Sequence, residues 1–131
     1  MRMEKQLAVF LENKPGTLAR MCRALGHVGI NVLALTVSDT VDHAVVRMVV
    51  DKAEEALHLL GSSGVLVVES EVLVIEVANR PGALAKLAEA LADSGINIEY
   101  AYGTGMPDQA SGMIVLRTND PERALEVLSQ G

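Results

Sequence analysis

The chain has 131 residues, half of them apolar, and a formal net charge of −6. The acidic balance argues against a nucleic-acid-binding protein, which needs a basic patch to displace counterions from phosphates. No apolar run approaches the roughly 20 residues of a transmembrane helix, and the first residues lack the apolar core of a signal peptide. We therefore expect a soluble cytoplasmic protein without nucleic-acid or membrane partners.

Few side chains offer catalytic or metal chemistry. The only cysteine is Cys22, so neither an internal disulfide nor a cysteine metal cluster is possible. It falls on the apolar stripe of a predicted helix, so a buried thiol is expected. The three histidines have no metal-ligand spacing, and no Ser/His/Asp or paired-carboxylate pattern recurs. We predict no enzyme activity, no catalytic residue, no metal and no cofactor.

The chain contains an internal repeat, and repeats decide the architecture before any other pattern. Residues 13–31 read NKPGTLARMCRALGHVGIN and residues 79–97 read NRPGALAKLAEALADSGIN, an offset of 66. Ten of these nineteen positions are identical without a gap, and positions 14 and 80 both carry a positive charge. The chain is therefore a tandem of one small unit.

The first copy alternates short apolar runs with amphipathic segments, which predicts strands and helices. Pro15-Gly16 breaks the first strand, Gly29 ends the first helix and Asp51 is a candidate cap for the second. The predicted order is strand 6–12, helix 16–28, strands 30–38 and 43–50, helix 52–61 and strand 65–69.

The second copy repeats this order up to its last strand. Asn119 or Asp120 is expected to cap the final helix, with Pro121 in its first turn, where proline is tolerated. The predicted elements are strand 71–77, helix 82–94, strand 96–102, a glycine-rich hairpin loop 103–112, strand 112–118 and the final helix.

The order βαββαβ predicts an α+β fold of two ferredoxin-like modules, each an antiparallel sheet with both helices on one face. We place module 1 at residues 1–69 and module 2 at residues 70–131. The second module lacks a last strand of its own, which leaves a sheet edge open. We expect strand 65–69, or a strand of a partner chain, to fill it.

Several predicted strands are apolar at nearly every position rather than alternating. Residues 7–11, 44–50 and 65–68 have this pattern, which places apolar side chains on the sheet face that the helices do not cover. Partly exposed valine-rich strands are one explanation. We favour burial against another sheet and expect a homodimer or higher homo-oligomer.

The repeated Asn-x-Pro-Gly turn is the candidate binding site. It ends a strand and begins a helix, and a helix N-terminus offers N–H donors and a partial positive charge to an anion such as a carboxylate. Gly16 permits close approach of a ligand to the backbone, and Pro15 stiffens the turn. Asn13 supplies both a donor and an acceptor, which suits the carboxylate and amine of an amino acid.

The Gly-Ile-Asn segment after the first helix of each copy is a second candidate. Asn31 can meet the Asn-x-Pro-Gly turn of a neighbouring unit rather than its own. Both motifs also have a purely structural explanation, because Asn is a common turn residue that bonds its own backbone. A duplicated fold duplicates its turns, so the repeat alone does not decide between the two.

The segments ENKPGTLARMCRALGHVGIN and ANRPGALAKLAEALADSGIN resemble the ACT domain, a regulatory module that binds amino acids in many metabolic enzymes. The similarity extends over nearly the whole chain as two modules, and it is greatest to small stand-alone proteins made only of tandem ACT domains. The chain also resembles the small regulatory subunit of acetolactate synthase.

The resemblance implies ligand-binding residues in each copy. In the serine-sensing ACT domain of phosphoglycerate dehydrogenase, the Asn of the first turn and the Asn after the helix bind the effector. The implied residues here are the two asparagines, the turn and the start of the second strand: Asn13, Pro15, Gly16, Thr17, Leu18, Asn31 and Val32, with Asn79, Pro81, Gly82, Ala83, Leu84, Asn97 and Ile98 in the second copy.

The sequence departs from that serine sensor at one place. The sensor has a His two positions before the first Asn, where this chain has Leu11 and Val77. The resemblance therefore implies an amino-acid effector with a branched-chain or other small apolar side chain. The leading hypothesis is a non-enzymatic amino-acid-binding regulator. The alternatives are a regulatory subunit of a separate biosynthetic enzyme, such as acetolactate synthase, and an oligomerisation module without a ligand.

Overall fold

The structure is a computed structural model that describes residues 1–130. Its helices are short, and none of those described is long and apolar enough to cross a membrane. The ten elements in chain order are β1 (Arg2–Glu12), α1 (Thr17–His27), β2 (Val32–Asp39), β3 (His43–Val50), α2 (Ala53–Ser62), β4 (Leu66–Ala78), α3 (Ala83–Asp93), β5 (Ile98–Gly103), β6 (Ser111–Thr118) and α4 (Pro121–Gln130).

The chain forms two compact units. The N-terminal unit comprises Lys5–Ser70, and the C-terminal unit comprises Met1–Glu4 together with the chain from Glu71 onward. Each unit has the α+β architecture expected from the sequence, with two helices and an antiparallel sheet. The predicted module limits, 1–69 and 70–131, assign the first four residues differently.

The N-terminal unit is a four-stranded sheet in the order β2-β3-β1-β4. Its apolar core combines alternate residues of β1 and β3 with the inward residues of both helices, as the strand and helix periods require. The buried members are Leu7, Val9, Met21, Leu25, Ile30, Val46, Met48, Val50, Ala56 and Leu60.

The C-terminal unit repeats this arrangement in the order β1-β4-β6-β5. Leu73 of β4 pairs with Leu116 of β6, and both side chains lie on the face that α3 and α4 cover. The buried core members are Leu73, Ile75, Leu91, Ile96, Leu116 and Ala124.

The open sheet edge of the C-terminal unit is filled from within the chain. The expectation that strand 65–69 or a partner strand fills it was wrong, because Met1–Glu4, the start of β1, belongs to this unit. These residues alternate apolar and charged side chains, as a half-buried strand does. Met3 packs against the core of the C-terminal unit, and that contact anchors the strand.

β4 is one continuous strand, although the sequence analysis divided it at residues 69–71. Nothing in Leu66–Ala78 breaks a strand, because the segment contains neither glycine nor proline. Its first residues belong to the N-terminal unit and its later residues to the C-terminal unit. One strand therefore supplies the last position of one sheet and an inner position of the other.

The helix ends follow local chemistry with one exception. Asp120 accepts a hydrogen bond from the Arg123 N–H (3.2 Å), which confirms it as the cap of α4. The prediction that Asp51 caps α2 was wrong, because its carboxylate accepts the backbone N–H of Asn31 (2.9 Å) and no side-chain cap is present. Cys22 is exposed rather than buried, because α1 buries only Met21 and Leu25.

The sheet face away from the helices is partly buried in both units. Val72, Val74 and Val115 of the C-terminal unit are buried on this face, and so is Val49 of the N-terminal unit. In the N-terminal unit Val67 packs into the core, so Leu66 and Val68 point to the other face, where they are 63% and 49% exposed. The apolar face predicted from sequence is therefore exposed along this part of β4.

Candidate ligand-binding cleft

Each Asn-x-Pro-Gly turn begins a helix through a glycine in the left-handed region. Gly16 has φ 91° and Gly82 has φ 87°, and both are the N-cap residues of their helices. A residue with a Cβ would be strained there, so the sequence requires glycine. Neither helix has a side-chain hydrogen bond that caps it, so no side chain of the turn accepts from the first N–H groups of either helix.

A cleft of about 670 Å³ lies beside the second of these turns, within the C-terminal unit. The volume falls in the range of about 300–1,000 Å³ that is typical of small-molecule sites. Its lining comes from the end of β4, the turn, α3 and the β5–β6 hairpin: Val77, Ala78, Asn79, Arg80, Pro81, Leu84, Leu87, Ala88, Ile98, Ala101, Tyr102, Gly103, Thr104, Gly105, Gly112, Ile114 and Leu116.

Asn79 ties the turn to the β5–β6 hairpin loop. Its side-chain Nδ2 donates to the carbonyl oxygens of Met106 (2.7 Å) and Gln109 (2.9 Å). Its backbone N–H donates to the Ala110 carbonyl (2.9 Å). Because Nδ2 carries only two hydrogens, both donors of this amide are used and Oδ1 remains as an acceptor.

Two glycines allow the hairpin to close at the edge of the cleft. A Cβ on Gly103 would lie 2.3 Å from Ile114 Cδ1 and 2.5 Å from the Met113 carbonyl oxygen. A Cβ on Gly112 would lie 2.0 Å from the Thr104 carbonyl oxygen. The hairpin loop, which the sequence analysis treated only as a connection between two strands, therefore has a defined conformation and forms part of the cleft wall.

The cleft combines an apolar interior with one positive charge. Arg80, the variable residue of the Asn-x-Pro-Gly turn, lines it together with the polar side chains of Asn79 and Thr104. Among the described lining residues none carries a carboxylate, an imidazole or a thiol. The cleft can therefore accept an anionic head and an apolar body.

The corresponding positions of the N-terminal unit carry larger side chains. Leu35 pairs with Met48 as Ala101 pairs with Leu116, and these two partners occupy equivalent core positions. One step further along the edge strands, Val37 pairs with Val46 and Gly103 pairs with Ile114. The N-terminal unit thus has leucine and valine where the C-terminal unit has alanine and glycine.

The charges around the first turn also differ. Lys14 Nζ lies 2.9 Å from a Glu12 carboxylate oxygen, and Asn13 Nδ2 donates to the Asp39 carboxylate. The hydrogen bond from Lys14, together with its positive charge, lowers the pKa of the Glu12 carboxyl. At the equivalent positions the second copy has Ala78 and Gly105, so the two carboxylates have no counterparts there.

The Gly-Ile-Asn asparagines have the same structural role in both units. The Asn31 N–H donates to Asp51 Oδ1, and the Asp51 N–H donates back to the Asn31 carbonyl (3.1 Å). Asn97 and Asn119 form the same reciprocal pair at 3.0 and 3.2 Å. These bonds use the backbone groups of Asn31 and Asn97 together with the side-chain oxygens and backbone N–H groups of Asp51 and Asn119. They join the beginning of one strand to the end of its neighbour.

The structure brings some of the predicted site residues together. Asn79, Pro81, Leu84 and Ile98 line the cleft, whereas Gly82, Ala83 and Asn97 are not among its lining residues. Leu84 is 57% exposed because it faces the cleft rather than the core.

The first-copy residues Asn13, Pro15, Gly16, Thr17, Leu18, Asn31 and Val32 form the equivalent turn, helix start and strand start. Their part in ligand binding stays a prediction. Arg80 lines the cleft but was not among the predicted site residues, although the positive charge shared by positions 14 and 80 was a signal for it.

Comparison with known proteins places the chain in a family. The sequence matches the ACT domain pair family over residues 1–130. The chain is therefore a member of the ACT domain pair family, with the regulatory fold of tandem ACT modules. Comparison with the curated proteins gives no match.

Solved structures share the fold of this chain. Protein BT0572 from Bacteroides thetaiotaomicron is 32% identical with a TM-score of 0.91, and the alignment covers 98% of this chain and 88% of that one. The regulatory subunit of aspartate kinase from Thermus thermophilus shares the fold at 20% identity and a TM-score of 0.71, with coverage of 99% and 97%. The regulatory subunit from Thermus flavus is 21% identical with a TM-score of 0.66, covering 98% and 91%.

Proposed function

We propose that the protein is a non-enzymatic, cytoplasmic regulator that binds a free amino acid. The observation that carries this proposal is the cleft beside the second Asn-x-Pro-Gly turn. It joins polar groups at a helix N-terminus to an apolar interior, and an α-amino acid likewise joins a charged head to a side chain.

The polar end of the cleft has groups for both charges of an amino-acid head. The partial positive charge at the N-terminus of α3 favours a carboxylate at this end of the cleft. Asn79 Oδ1 is available to accept from an ammonium, since both hydrogens of Nδ2 already bond the hairpin loop. The side chain of the ligand would then contact Leu84 and Ile98 inside the cleft.

The lining also argues against catalysis as the function of this cleft. General acid–base catalysis uses His, Asp, Glu, Lys, Cys or Tyr side chains, and a hydroxyl acts as a nucleophile when a neighbouring base activates it. Among the described lining residues only Tyr102 and Thr104 carry a hydroxyl, and none carries a carboxylate, an imidazole, a thiol or an amine that could act as the base. Binding without reaction is therefore the function that the cleft chemistry supports.

Isothermal titration calorimetry against the twenty amino acids tests the proposal, with thermal unfolding as a second readout. A ligand that binds only the folded state raises stability by about 2.7 kcal/mol at 100 times its Kd. We expect heat and an increased Tm with at least one small apolar amino acid. Neither heat nor a Tm change with any of the twenty, at millimolar concentration, would contradict the proposal.

A second candidate is a regulatory subunit that acts on a separate biosynthetic enzyme. It is favoured by the end-to-end structural match with regulatory subunits of aspartate kinase. Affinity purification from native lysate, followed by mass spectrometry, tests it. Recovery of an amino-acid biosynthetic enzyme whose activity changes when the purified chain is added supports this candidate, and recovery of none counts against it.

We further propose that the protein is a homo-oligomer in which the exposed face of β4 is covered by another copy. The support is the apolar pair Leu66 and Val68, which are largely exposed in the single chain. Light scattering with size-exclusion chromatography should give a dimer or larger species for the wild type. Leu66→Lys should lower that mass, while the control Val41→Lys, at a 97% exposed loop position, should not.

A further inference from the structure

We infer that the ligand site is single: only the C-terminal unit takes the effector, Arg80 binds its carboxylate, and Ala101 leaves room for a small apolar side chain. The inference rests on the proposed amino-acid-binding function and goes beyond it. It names the recognising cation, the class of side chain and the number of ligands per chain.

Arg80 is placed to bind a carboxylate without competition. It lines the cleft, and among the described residues no carboxylate forms an ion pair with it. Residue 78, which corresponds to Glu12 in the repeat, is alanine. Arginine binds carboxylates in a planar, bidentate geometry, so a ligand carboxylate would take the position that Glu12 takes toward Lys14 in the first copy.

The first unit has the opposite electrostatics. Lys14 is already paired with Glu12 at 2.9 Å, and Asp39 adds a second carboxylate at the Asn13 side chain. A ligand carboxylate would be repelled by these two groups and would have to displace one of them from its partner. The first turn therefore makes internally the contacts that the second turn leaves for a ligand.

The space on the helix-covered face of the sheet also differs between the two units, and it too favours binding in the C-terminal unit. Leu35 and Val37 lie on the helix-covered face of the sheet, because they pair with the core residues Met48 and Val46. Both are bulky side chains that remain partly exposed, at 38% and 46%, and they stand at the register positions where the C-terminal unit has alanine and glycine. Ala101 and Gly103 at the same places in the C-terminal unit leave the corresponding volume open beside α3.

The cleft also limits the effector's side chain. Leu84, Ile98 and Ile114 line it with aliphatic groups, and a buried polar group of the ligand would lose its hydrogen bonds to water. The site therefore fits aliphatic amino acids, with L-leucine, L-isoleucine and L-valine as the probes.

Calorimetric titration of the wild type with these three probes is the first step of the test. We expect one ligand per chain. Arg80→Ala should weaken the affinity about 10- to 100-fold, as expected for loss of a charge-assisted hydrogen bond. The matched variant Lys14→Ala, at the same position of the other turn, should leave the affinity unchanged.

The second step asks which ligand group Arg80 recognises. Isoamylamine, which is leucine without its carboxylate, should bind the wild type much more weakly than leucine. In Arg80→Ala this difference should largely disappear, because the two changes remove the same contact. A purely structural role of Arg80 would weaken both ligands equally and would contradict the inference.

The third step tests whether binding needs the space that the small side chain of Ala101 leaves in the cleft. Ala101→Leu should abolish binding, and the control Leu35→Ala should retain it; circular dichroism should show both variants folded. Three results would overturn this inference but leave the proposed function standing. They are two equivalent ligands per chain, an unchanged affinity in Arg80→Ala, or a lost affinity in Lys14→Ala. The inference would also fail if only polar amino acids bind. Absence of binding by all twenty would overturn the proposed function as well.

Discussion

The two units share a fold and a turn motif but differ in what fills the space beside the turn. In the N-terminal unit, Glu12 and Lys14 form an ion pair and Leu35 occupies the edge of the sheet. In the C-terminal unit, Arg80 and Ala101 line an open cleft. The comparison teaches that the Asn-x-Pro-Gly motif determines how the helix begins, while the neighbouring residues determine whether a ligand can bind.

The largest expected effect comes from replacing Gly103, one of the two glycines that let the β5–β6 hairpin close. Gly103→Ala would place a Cβ 2.3 Å from Ile114 Cδ1 and 2.5 Å from a backbone carbonyl oxygen, so the hairpin must shift. We expect a loss of about 1–3 kcal/mol in the free energy of unfolding, measured by urea denaturation. The control is Gly105→Ala, whose Cβ would lie 3.4 Å from Asn79 Oδ1, with an expected change within about 0.5 kcal/mol. Equal effects would show that the hairpin tolerates the extra atom.

A second prediction concerns the N-terminal strand of the C-terminal unit. Met3→Ala removes a partly buried side chain from that core, so we expect a loss of about 1–2 kcal/mol in the free energy of unfolding. Amide hydrogen exchange should show the loosening at residues from Glu71 onward. Met1→Ala, at a half-exposed position, is the matched control. Loosening confined to the other unit would refute the assignment of this strand.

A third prediction separates the two asparagines of the turns. Asn79→Ala removes both bonds that hold the hairpin loop, at an exposed site where water replaces much of their energy, so about 1 kcal/mol is lost. The amide of Gln109, which donates to the Met106 carbonyl, should exchange faster. Asn13→Ala should leave that amide unchanged. Equal exchange of the Gln109 amide in the two variants would show that Asn79 does not hold the hairpin loop.

The smallest expected effect is electrostatic. The pKa of the Glu12 carboxyl is lowered in the folded protein by Lys14, so its contribution to stability is present above the ordinary glutamate pKa of about 4.3. It is lost as the pH falls through the lowered pKa. Because Glu12 is exposed, solvent screening keeps this contribution small. NMR titration should show the pKa of Glu12 rising in Lys14→Met and unchanged in Arg80→Met. An unchanged pKa of Glu12 in Lys14→Met would show that Lys14 does not form this ion pair in solution.

Much of the fold could be predicted because its signals are local. The duplicated turns, the glycines that begin the helices and the cap at Asp120 depend on neighbouring residues. The position of Met1–Glu4 could not be predicted, because it depends on pairing with a strand far along the chain. Asp51 was misassigned for a similar reason: its carboxylate bonds the distant backbone N–H of Asn31 instead of its own helix.

The site was only partly predictable. Asn79, Pro81, Leu84 and Ile98 follow from the repeated motif. The β5–β6 side of the cleft depends on which residues face α3, and a bulge between Ile98 and Tyr100 changes the alternation along β5. Periodicity alone cannot locate such a bulge. The sequence therefore could not show that Leu35 and Ala101, which differ in size, face the helices at equivalent positions of the two edge strands.

The most direct test of the difference between the units is an NMR titration of the labelled wild-type protein with L-leucine, followed through backbone amide shifts. We predict saturable shifts at Arg80 and Ala101 and none at Lys14 and Leu35, which are their counterparts in the first copy. Saturable shifts of equal size at both sets of residues, or at the N-terminal set alone, would contradict this prediction.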